Sequence, residues 1–362
     1  MFDFSQPIWI NWELNNICNL MCPQCGRNEI KNGILQWRKE PAGSPTKTLN
    51  DVDNSLETFK KVFKNIGYPV DLIRFQGHVS ENVASKEFIP ICEYIISEGT
   101  NITISTNGSL RTEEFWYNLG KVFNKKSKIN FSIDGMGDAL GIYRVNANYE
   151  KVIQNASAFM RGGGRACWRM IVFKHNQHQI EDARKEAERL GFEDFSIVHT
   201  DRRYFMDQEY IYKGQKYILE NQNIAPRWNE KVDDNLQWDG WTEISCKAQN
   251  ENQFYVDCKN KPWACYYIPN KDGLSREKEW YKEYAEDESL TLENKTLDDI
   301  LNHKFYHAIQ MAWGSKSTCL STCRKKCSVE KGLVRSWELN SGKIYKDRKG
   351  GEIQSWYEDN SS

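Results

Sequence analysis

The sequence predicts an α/β protein in which a partial (β/α)6 TIM-like barrel is followed by a small α+β domain. Three observations lead to this fold class. Between residues 7 and 200, short β-type runs alternate with longer amphipathic stretches, which is the pattern of parallel βα units. The repeat stops after His199, and a cysteine-rich segment follows in the last third of the chain. A length of 362 residues suits two domains.

Six β-type runs define the predicted barrel. In the first, Ile8, Ile10, Trp12 and Leu14 alternate with other residues, as on a half-buried strand. The five later runs are LIRFQ, NITIS, KINFSID, ACWRMIVF and EDFSIVHT, which begin at Leu72, Asn101, Lys128, Ala166 and Glu193.

The segments between these strands have helical periodicity. Leu56, Phe59 and Val62 recur on one face of the first such segment, and Ile180 and Ala183 begin a similar face later. In (β/α) barrels the chemistry is located at the carboxyl ends of the strands, because the loops there converge on the mouth. A doubly wound open sheet is the competing interpretation of the same pattern.

Charge and composition exclude several classes of partner. The 49 Lys and Arg nearly balance the 50 Asp and Glu, so the formal net charge is -1 and gives no reason to expect nucleic acid or a membrane. No run approaches the roughly 18 apolar residues of a membrane span. The first residues, MFDFSQPIWINWEL, lack the features of a secretory signal. We therefore expect a cytoplasmic location.

The eleven cysteines are the main functional clue. In a reducing compartment so many thiols indicate metal binding more than disulfides. Cys92 and Cys167 stand alone, whereas the other nine form two groups, which predicts two separate metal sites. The groups are Cys18, Cys22 and Cys25 near the N-terminus, and Cys246, Cys258, Cys265, Cys319, Cys323 and Cys327 in the last third.

The first group has the spacing C-x3-C-x2-C in the segment CNLMCPQC, directly after the first strand. Three thiolates on so short a loop can hold three irons of a 4Fe-4S cluster and leave the fourth iron without a protein ligand. The alternative is a structural zinc site closed by a fourth ligand, for which Cys92 and Cys167 are candidates.

This motif and its position after the first strand resemble those of the radical S-adenosylmethionine (SAM) enzymes. The resemblance covers residues 7 to 200 and implies that SAM chelates the open iron. The residue before the third cysteine, usually aromatic or apolar in the family, is Gln24 in this chain.

The same resemblance implies which residues contact SAM. The segment FQGHVSE replaces the family's glycine-rich segment, with His78 and Val79 at the second glycine and its neighbour. STNGS also fits a simple Asn-Gly turn, and the arginine of IYRVN also fits a surface salt bridge. His175 and His178 are interpreted as ordinary loop residues. The candidate contacts are Gln76, Gly77, Asn107, Ser132 and Asp134, with Arg144 as the partner of the SAM carboxylate.

The second cysteine group resembles the auxiliary-cluster domain of radical SAM enzymes called SPASM or, in its shorter form, twitch. Asn260 stands at the position of that pattern's turn glycine, and Asn tolerates a left-handed backbone. A zinc site with four thiolates is the alternative. The resemblance implies an auxiliary 4Fe-4S cluster held by Cys246, Cys265, Cys323 and Cys327, with Cys319 as the alternate ligand and Cys258 as a spare thiol.

These patterns divide the chain into four parts. We expect the radical SAM partial barrel over residues 1–200, a bridging segment over 201–245, the SPASM/twitch-type domain over 246–338 and a C-terminal tail over 339–362.

The resemblance implies a radical SAM oxidoreductase or maturase that cleaves SAM to a 5'-deoxyadenosyl radical and abstracts hydrogen from a substrate. The expected substrate is a peptide or protein side chain, with net oxidation assisted by the auxiliary cluster. Oxidation or rearrangement of a small metabolite such as a sugar is the first alternative, and a non-catalytic iron-sulfur or zinc protein is the second. An electron donor such as flavodoxin or ferredoxin is the expected partner.

Overall fold

A mostly parallel sheet of eight strands lies at the centre of the structure. The structure is a computed structural model that describes residues 3–39, 48–198, 208–220, 244–269, 278–314, 318–320, 322–323 and 327, and the backbone of 345–346 and 352–353. The strands are β1 (Ile8–Trp12), β2 (Asn28–Lys31), β3 (Ile34–Trp37), β4 (Val70–Phe75), β5 (Asn101–Thr106), β6 (Lys128–Ser132), β7 (Ala166–Ile171), β8 (Asp194–Val198), β9 (Gln208–Tyr212), β10 (Gln215–Leu219), β11 (Gln253–Val256), β12 (Pro262–Trp263), β13 (Tyr345–Lys346) and β14 (Glu352–Ile353).

Ten α-helices are present in the described part of the chain. They are α1 (Leu56–Lys64), α2 (Phe88–Ser97), α3 (Glu113–Val122), α4 (Ala139–Tyr143), α5 (Tyr149–Arg161), α6 (Ile180–Leu190), α7 (Lys247–Asn250), α8 (Glu279–Glu286), α9 (Leu297–Leu301) and α10 (Lys304–Ala312). Local sequence sets their ends. The side chain of Ser55 caps α1 by accepting a hydrogen bond from Thr58 N–H, and Gly191, at φ +85°, ends α6 in the left-handed conformation.

The central sheet confirms the predicted partial barrel. Its order is β12-β11-β1-β4-β5-β6-β7-β8, and the six predicted strands follow one another in chain order and run parallel. A doubly wound sheet would reverse its strand order at a switch point. The six barrel strands, in the order β1-β4-β5-β6-β7-β8, show no such reversal. The alternating apolar residues of β1, Ile8, Ile10 and Trp12, are fully buried in the core.

Two strands from the cysteine-rich segment extend this sheet on the other side of β1. Strand β11 pairs with β1 in parallel, with Ile10 opposite Phe254, and β12 pairs antiparallel with β11. The sequence prediction did not include this feature. Strand β1 therefore lies between the barrel and the C-terminal region, and it connects them by backbone hydrogen bonds.

A second sheet has the order β10-β9-β3-β2. The hairpin β9–β10 is the described part of the predicted bridging segment, and it joins the hairpin that follows the first cysteines. A small apolar cluster beneath this sheet includes Met21, Tyr143, Val145 and Tyr210. The second sheet thus packs against the first cysteine loop. Most of the predicted C-terminal tail lies outside the described residues.

None of the helices in the described part of the chain combines the length and apolar character needed to cross a membrane.

Candidate functional site

The first three cysteines lie on the loop that leaves the carboxyl end of β1. Backbone hydrogen bonds hold this loop: Cys25 N–H donates to the Cys22 carbonyl, and Met21 N–H donates to the Val145 carbonyl, both at 3.0 Å. The Asn28 amide also donates to the Cys22 carbonyl at 2.9 Å. The thiols of Cys18, Cys22 and Cys25 are therefore presented by a fixed backbone at the barrel mouth.

The thiols of Cys18 and Cys22 are buried enough to disfavour the charged form. Burial raises the pKa of Cys18 to about 12, and the neighbouring Glu81, Cys22 and Cys25 contribute in the same direction. Burial also raises the pKa of Cys22 to about 11, although the Arg144 guanidinium opposes this effect. Two buried thiols that need nearby positive charge before they ionise, with a third cysteine on the same short loop, fit the donor set of an iron-sulfur cluster.

Asn107 and Glu81 lie beside this cysteine loop. The Asn107 Nδ2 atom is 3.8 Å from Cys18 Sγ and 3.2 Å from Asn19 Oδ1. The Asn107 N–H donates to Glu81 Oε2 at 2.7 Å. The segment STNGS is thus more than a turn, because it joins the end of β5 both to the first cysteine and to a buried carboxylate.

Sequence reasoning did not single out Glu81. Burial raises its pKa to about 7, against the effect of hydrogen bonds from Asn107 and Thr106. Its Oε1 atom is buried and has no hydrogen-bond partner within the described protein. A carboxylate oxygen can only accept, so this atom is ready for a donor or cation from a ligand. The available signal was an acidic residue soon after the end of β4, in the segment FQGHVSE.

Arg144 and Asp134 form a buried ion pair at the same mouth. Arg144 Nε lies 2.6 Å from Asp134 Oδ2, and the Asp134 side chain is fully buried. The other carboxylate oxygen of Asp134 accepts from Ile171 N–H at 2.6 Å. Arg144 Nη1 is 4.0 Å from Cys22 Sγ. The arginine predicted from IYRVN is therefore a partly buried group directed at the cysteines rather than a surface residue.

The remaining predicted contacts, Gln76, Gly77 and Ser132, also lie at strand ends. Gln76 is exposed and Ser132 is half-buried at the end of β6. A Cβ atom on Gly77 would lie 1.8 Å from Ser80 Oγ and 2.7 Å from Glu13 Oε1. Only glycine fits there, because protein atoms already crowd the position. Whether these three residues contact SAM stays a prediction.

A pocket in the C-terminal region brings four cysteines together. Its lining includes Cys246, Cys265, Cys323 and Cys327, and Ser245 N–H donates to the Cys327 carbonyl at 2.8 Å. The hydrogen bond with Cys327 and burial both raise the pKa of the Cys246 thiol. Burial raises the pKa of Cys265 to about 12, and the nearby Cys327 adds to this effect. Four convergent thiols match the ligand count of a fully ligated 4Fe-4S cluster.

Cys319 and Cys258 stand outside this lining. The Cys319 thiol is buried and 3.6 Å from the Leu320 carbonyl, although its charge would raise the pKa of Cys323. Cys258 is buried beside Glu13 and Asp257. The left-handed conformation predicted for Asn260 is confirmed, with φ at +60°. The ligand assignment itself stays a prediction.

The two isolated cysteines do not join the first group. Cys92 is buried in the core on α2, and Cys167 on β7 has Lys128, Asp194 and Glu193 as its charged neighbours. Within the described residues, no three or more Cys, His, Asp or Glu side chains are close enough together to hold a single metal ion.

Side chains connect the two cysteine regions. The Tyr266 hydroxyl, one residue after Cys265, donates to the Gly77 carbonyl at 3.3 Å. The ring of His78 stacks on Tyr266 with 3.8 Å between ring centroids. The loop after β4 and the hairpin that carries Cys265 are therefore in direct contact.

Comparison with known proteins agrees with this arrangement. Residues 12–187 match the Radical SAM superfamily. The mycofactocin maturase MftC of Mycobacterium ulcerans (strain Agy99) is 24% identical over 189 residues, which are 51% of this chain and 45% of that protein. The chain thus spans less than half the length of this curated relative.

Two solved structures share the fold. Streptococcus suis SuiB bound to S-adenosylmethionine aligns with a TM-score of 0.50 and 12% identity, over 88% of this chain and 78% of SuiB. Native anSMEcpe with bound AdoMet aligns with a TM-score of 0.51 and 12% identity, over 83% of this chain and 82% of that protein. At this identity the likeness concerns the fold alone.

Proposed function

Since this chain carries a radical SAM domain over residues 12–187, we propose that it reductively cleaves S-adenosylmethionine and oxidises a peptide or protein side chain. The superfamily works with a 4Fe-4S cluster and SAM. One observation carries the proposal: the carboxyl ends of adjacent parallel strands gather Cys18, Cys22 and Cys25 with Glu81 and the Arg144–Asp134 pair, which are groups suited to the amino and carboxylate ends of SAM.

Cys18, Cys22 and Cys25 would hold the cluster, which when bound would supply the electron for reductive cleavage of SAM to methionine and a hydrogen-abstracting 5'-deoxyadenosyl group. The chain's own residues orient SAM for this reaction. Asp134 holds Nε of Arg144 and Nη1 faces Cys22 Sγ at 4.0 Å, so the guanidinium is oriented beside the cysteines, where it would bind the SAM carboxylate. The unpartnered Oε1 of Glu81 is an acceptor for the SAM ammonium group.

The second cysteine pocket supports a net oxidation. After hydrogen abstraction, a substrate that is to be oxidised must lose one further electron and a proton. We propose that Cys246, Cys265, Cys323 and Cys327, which line one pocket, would hold an auxiliary 4Fe-4S cluster, and that its chemistry would be to provide an acceptor for this electron. The contact between Tyr266 and Gly77 places the hairpin of Cys265 against the mouth of the barrel. Flavodoxin or ferredoxin is the proposed donor of the first electron.

The test of SAM cleavage is anaerobic. The protein is loaded with iron and sulfide, then incubated with SAM and dithionite, and 5'-deoxyadenosine is measured by liquid chromatography. Replacing Cys18, Cys22 and Cys25 by Ala should remove about four irons and abolish the product, whereas Cys167→Ala, a buried thiol on β7, should keep both. Continued product formation in the triple variant, or a zinc-loaded parent free of iron, would contradict the proposal.

The substrate class needs a separate measurement. The loaded enzyme is offered a peptide pool and, in parallel, a pool of small metabolites including sugars. Mass spectrometry should detect peptide products that have lost two hydrogen atoms. Oxidised products from the metabolite pool alone would refute a peptide substrate and leave the SAM cleavage assignment intact.

A further inference from the structure

Arg27, two residues after Cys25, is a buried cation that forms an ion pair with none of the carboxylates among the described residues. Only 1% of its surface is exposed. Its Nη1 atom donates to the carbonyls of Asn16 at 2.7 Å and Val79 at 2.5 Å, and Nη2 donates to Asn50 Oδ1 at 2.7 Å. All three acceptors are neutral, and the ion pairs of the described residues do not include Arg27.

The second arginine at the cysteine loop provides the contrast. Arg144 is paired with Asp134 at 2.6 Å, so its charge is compensated inside the protein. A buried charge without a partner is costly and is normally paired. Among the residues that the structure describes, no carboxylate contacts Arg27 and solvent does not reach it, so its charge calls for another source of negative charge nearby.

The three cysteines provide that charge when they bind metal as thiolates. Arg27 follows Cys25 by two residues, and its Nη1 atom donates to the Asn16 carbonyl, two residues before Cys18, so the guanidinium bridges the two ends of the cysteine loop. The buried carboxylate of Glu13 has other partners, because it accepts from Val79 N–H at 3.0 Å and from the Tyr255 hydroxyl at 2.5 Å.

We propose that Arg27 is the counter-charge of the cluster held by Cys18, Cys22 and Cys25, and that it raises the reduction potential of this cluster. The inference rests on the proposed function in one respect, that these cysteines bind the cluster. With three thiolate ligands, a one-electron reduction makes the site more negative by one charge, and a fixed buried cation stabilises the reduced form more than the oxidised form. The electron comes from the external donor or, in the experiment, from the reductant.

The geometry also gives Arg27 a positioning role. By donating to both Asn16 and Val79, it ties the start of the cysteine loop to the segment FQGHVSE. Its guanidinium lies 4.8 Å from the centre of the Trp37 ring, which covers it from outside. The tests must therefore separate charge from hydrogen bonding.

The experiment is a potentiometric titration of the iron-loaded full chain, followed by electron paramagnetic resonance, with iron content measured for each variant. Arg27→Gln should reduce the ratio of reduced to oxidised cluster at a fixed potential about tenfold, a downward shift of about 59 mV for one electron. Arg27→Lys keeps the charge and should stay close to the parent. Lys31→Gln, which removes an exposed charge from β2, is the control and should leave the potential unchanged.

A second variant tests the same idea in case the Arg27→Gln protein does not fold. Asn50 is exposed, has φ +62° and accepts from Arg27. Asn50→Asp places a carboxylate against Arg27 in the same shape, so it should also lower the potential, by less than Arg27→Gln. Unchanged potentials in Asn50→Asp and in any folded Arg27→Gln protein, or a shift in Arg27→Lys as large as in Arg27→Gln, would overturn the inference. A parent without a cluster would instead refute the proposed function.

Discussion

Removing the charge of Asp134 tests the idea that this residue orients Arg144. Asp134→Asn keeps the shape of the side chain and the acceptor for Ile171 N–H, which now lies 2.6 Å from Oδ1. It removes the negative partner of Arg144 Nε. Arg144 would then remain partly buried without a carboxylate and without a fixed orientation.

The burial of the pair determines the size of the effect. The Asp134 side chain is fully buried and that of Arg144 is 18% exposed, so little solvent screens the charge that remains. Removing one partner of a buried ion pair costs about 3–5 kcal/mol. The exposed pair Arg165–Glu193, with 38% and 43% side-chain exposure, is the matched control, and Glu193→Gln should cost at most about 1 kcal/mol.

Urea unfolding followed by tryptophan fluorescence measures both free energies of unfolding, and equilibrium dialysis of the iron-loaded proteins measures SAM affinity. Asp134→Asn should lower stability and SAM affinity together. The double variant Asp134→Asn, Arg144→Met should recover most of the stability, because it removes the uncompensated buried charge and keeps the acceptor for Ile171 N–H, while SAM binding stays lost. Equal losses of stability for Asp134→Asn and Glu193→Gln would refute the reasoning.

Three other outcomes follow from the site. Arg144→Lys should weaken SAM binding in dialysis while stability by urea unfolding changes little, since Lys keeps the charge but not the planar fork; an affinity equal to the parent's would contradict the contact. Cys246→Ala and Cys265→Ala should each lose the auxiliary cluster, about four irons, whereas Cys258→Ala should keep it. Unchanged iron content and electron paramagnetic resonance spectra in the first two variants would refute the assignment of a cluster to this pocket. Burial lowers the pKa of His175 to about 4, so the unfolded chain binds more protons between about pH 4 and 6.5, and stability should rise with pH across that window. Melting temperatures measured across this pH window follow the change in stability, and His175→Phe should make their rise with pH smaller. A pH profile identical to that of the parent would show that another group causes the rise.

The order of the barrel strands could be predicted because each strand alternates or is continuously apolar and helices separate successive barrel strands along the chain. The junction of β1 with β11 could not, since Ile10 and Phe254 are 244 positions apart and neither segment carries a signal for its partner. Parallel pairing across such a distance depends on which sheet edge is left open after folding.

The candidate site also contains residues that the sequence predicts and residues that it does not. Cysteine spacing pointed to Cys18, Cys22 and Cys25, which lie on the loop after β1, and their role as cluster ligands stays a prediction. Glu81 and Arg27 become candidate functional residues only because they are buried, since most carboxylates and guanidinium groups lie at the protein surface in contact with water. The sequence pattern around these two residues does not predict that they are shielded from water.

The position of β1 has a consequence for how the two cysteine groups would cooperate. Both neighbours of this strand, β4 and β11, run parallel to it, so the loops after all three strands emerge at one edge of the sheet. The loop after β1 carries Cys18, the loop after β4 carries Gly77, and the turn after β11 leads to Cys265. Tyr266 then joins the last two loops through its hydrogen bond to Gly77. Strand pairing, rather than a hinge between domains, therefore holds the hairpin of Cys265 beside the barrel mouth that carries Cys18.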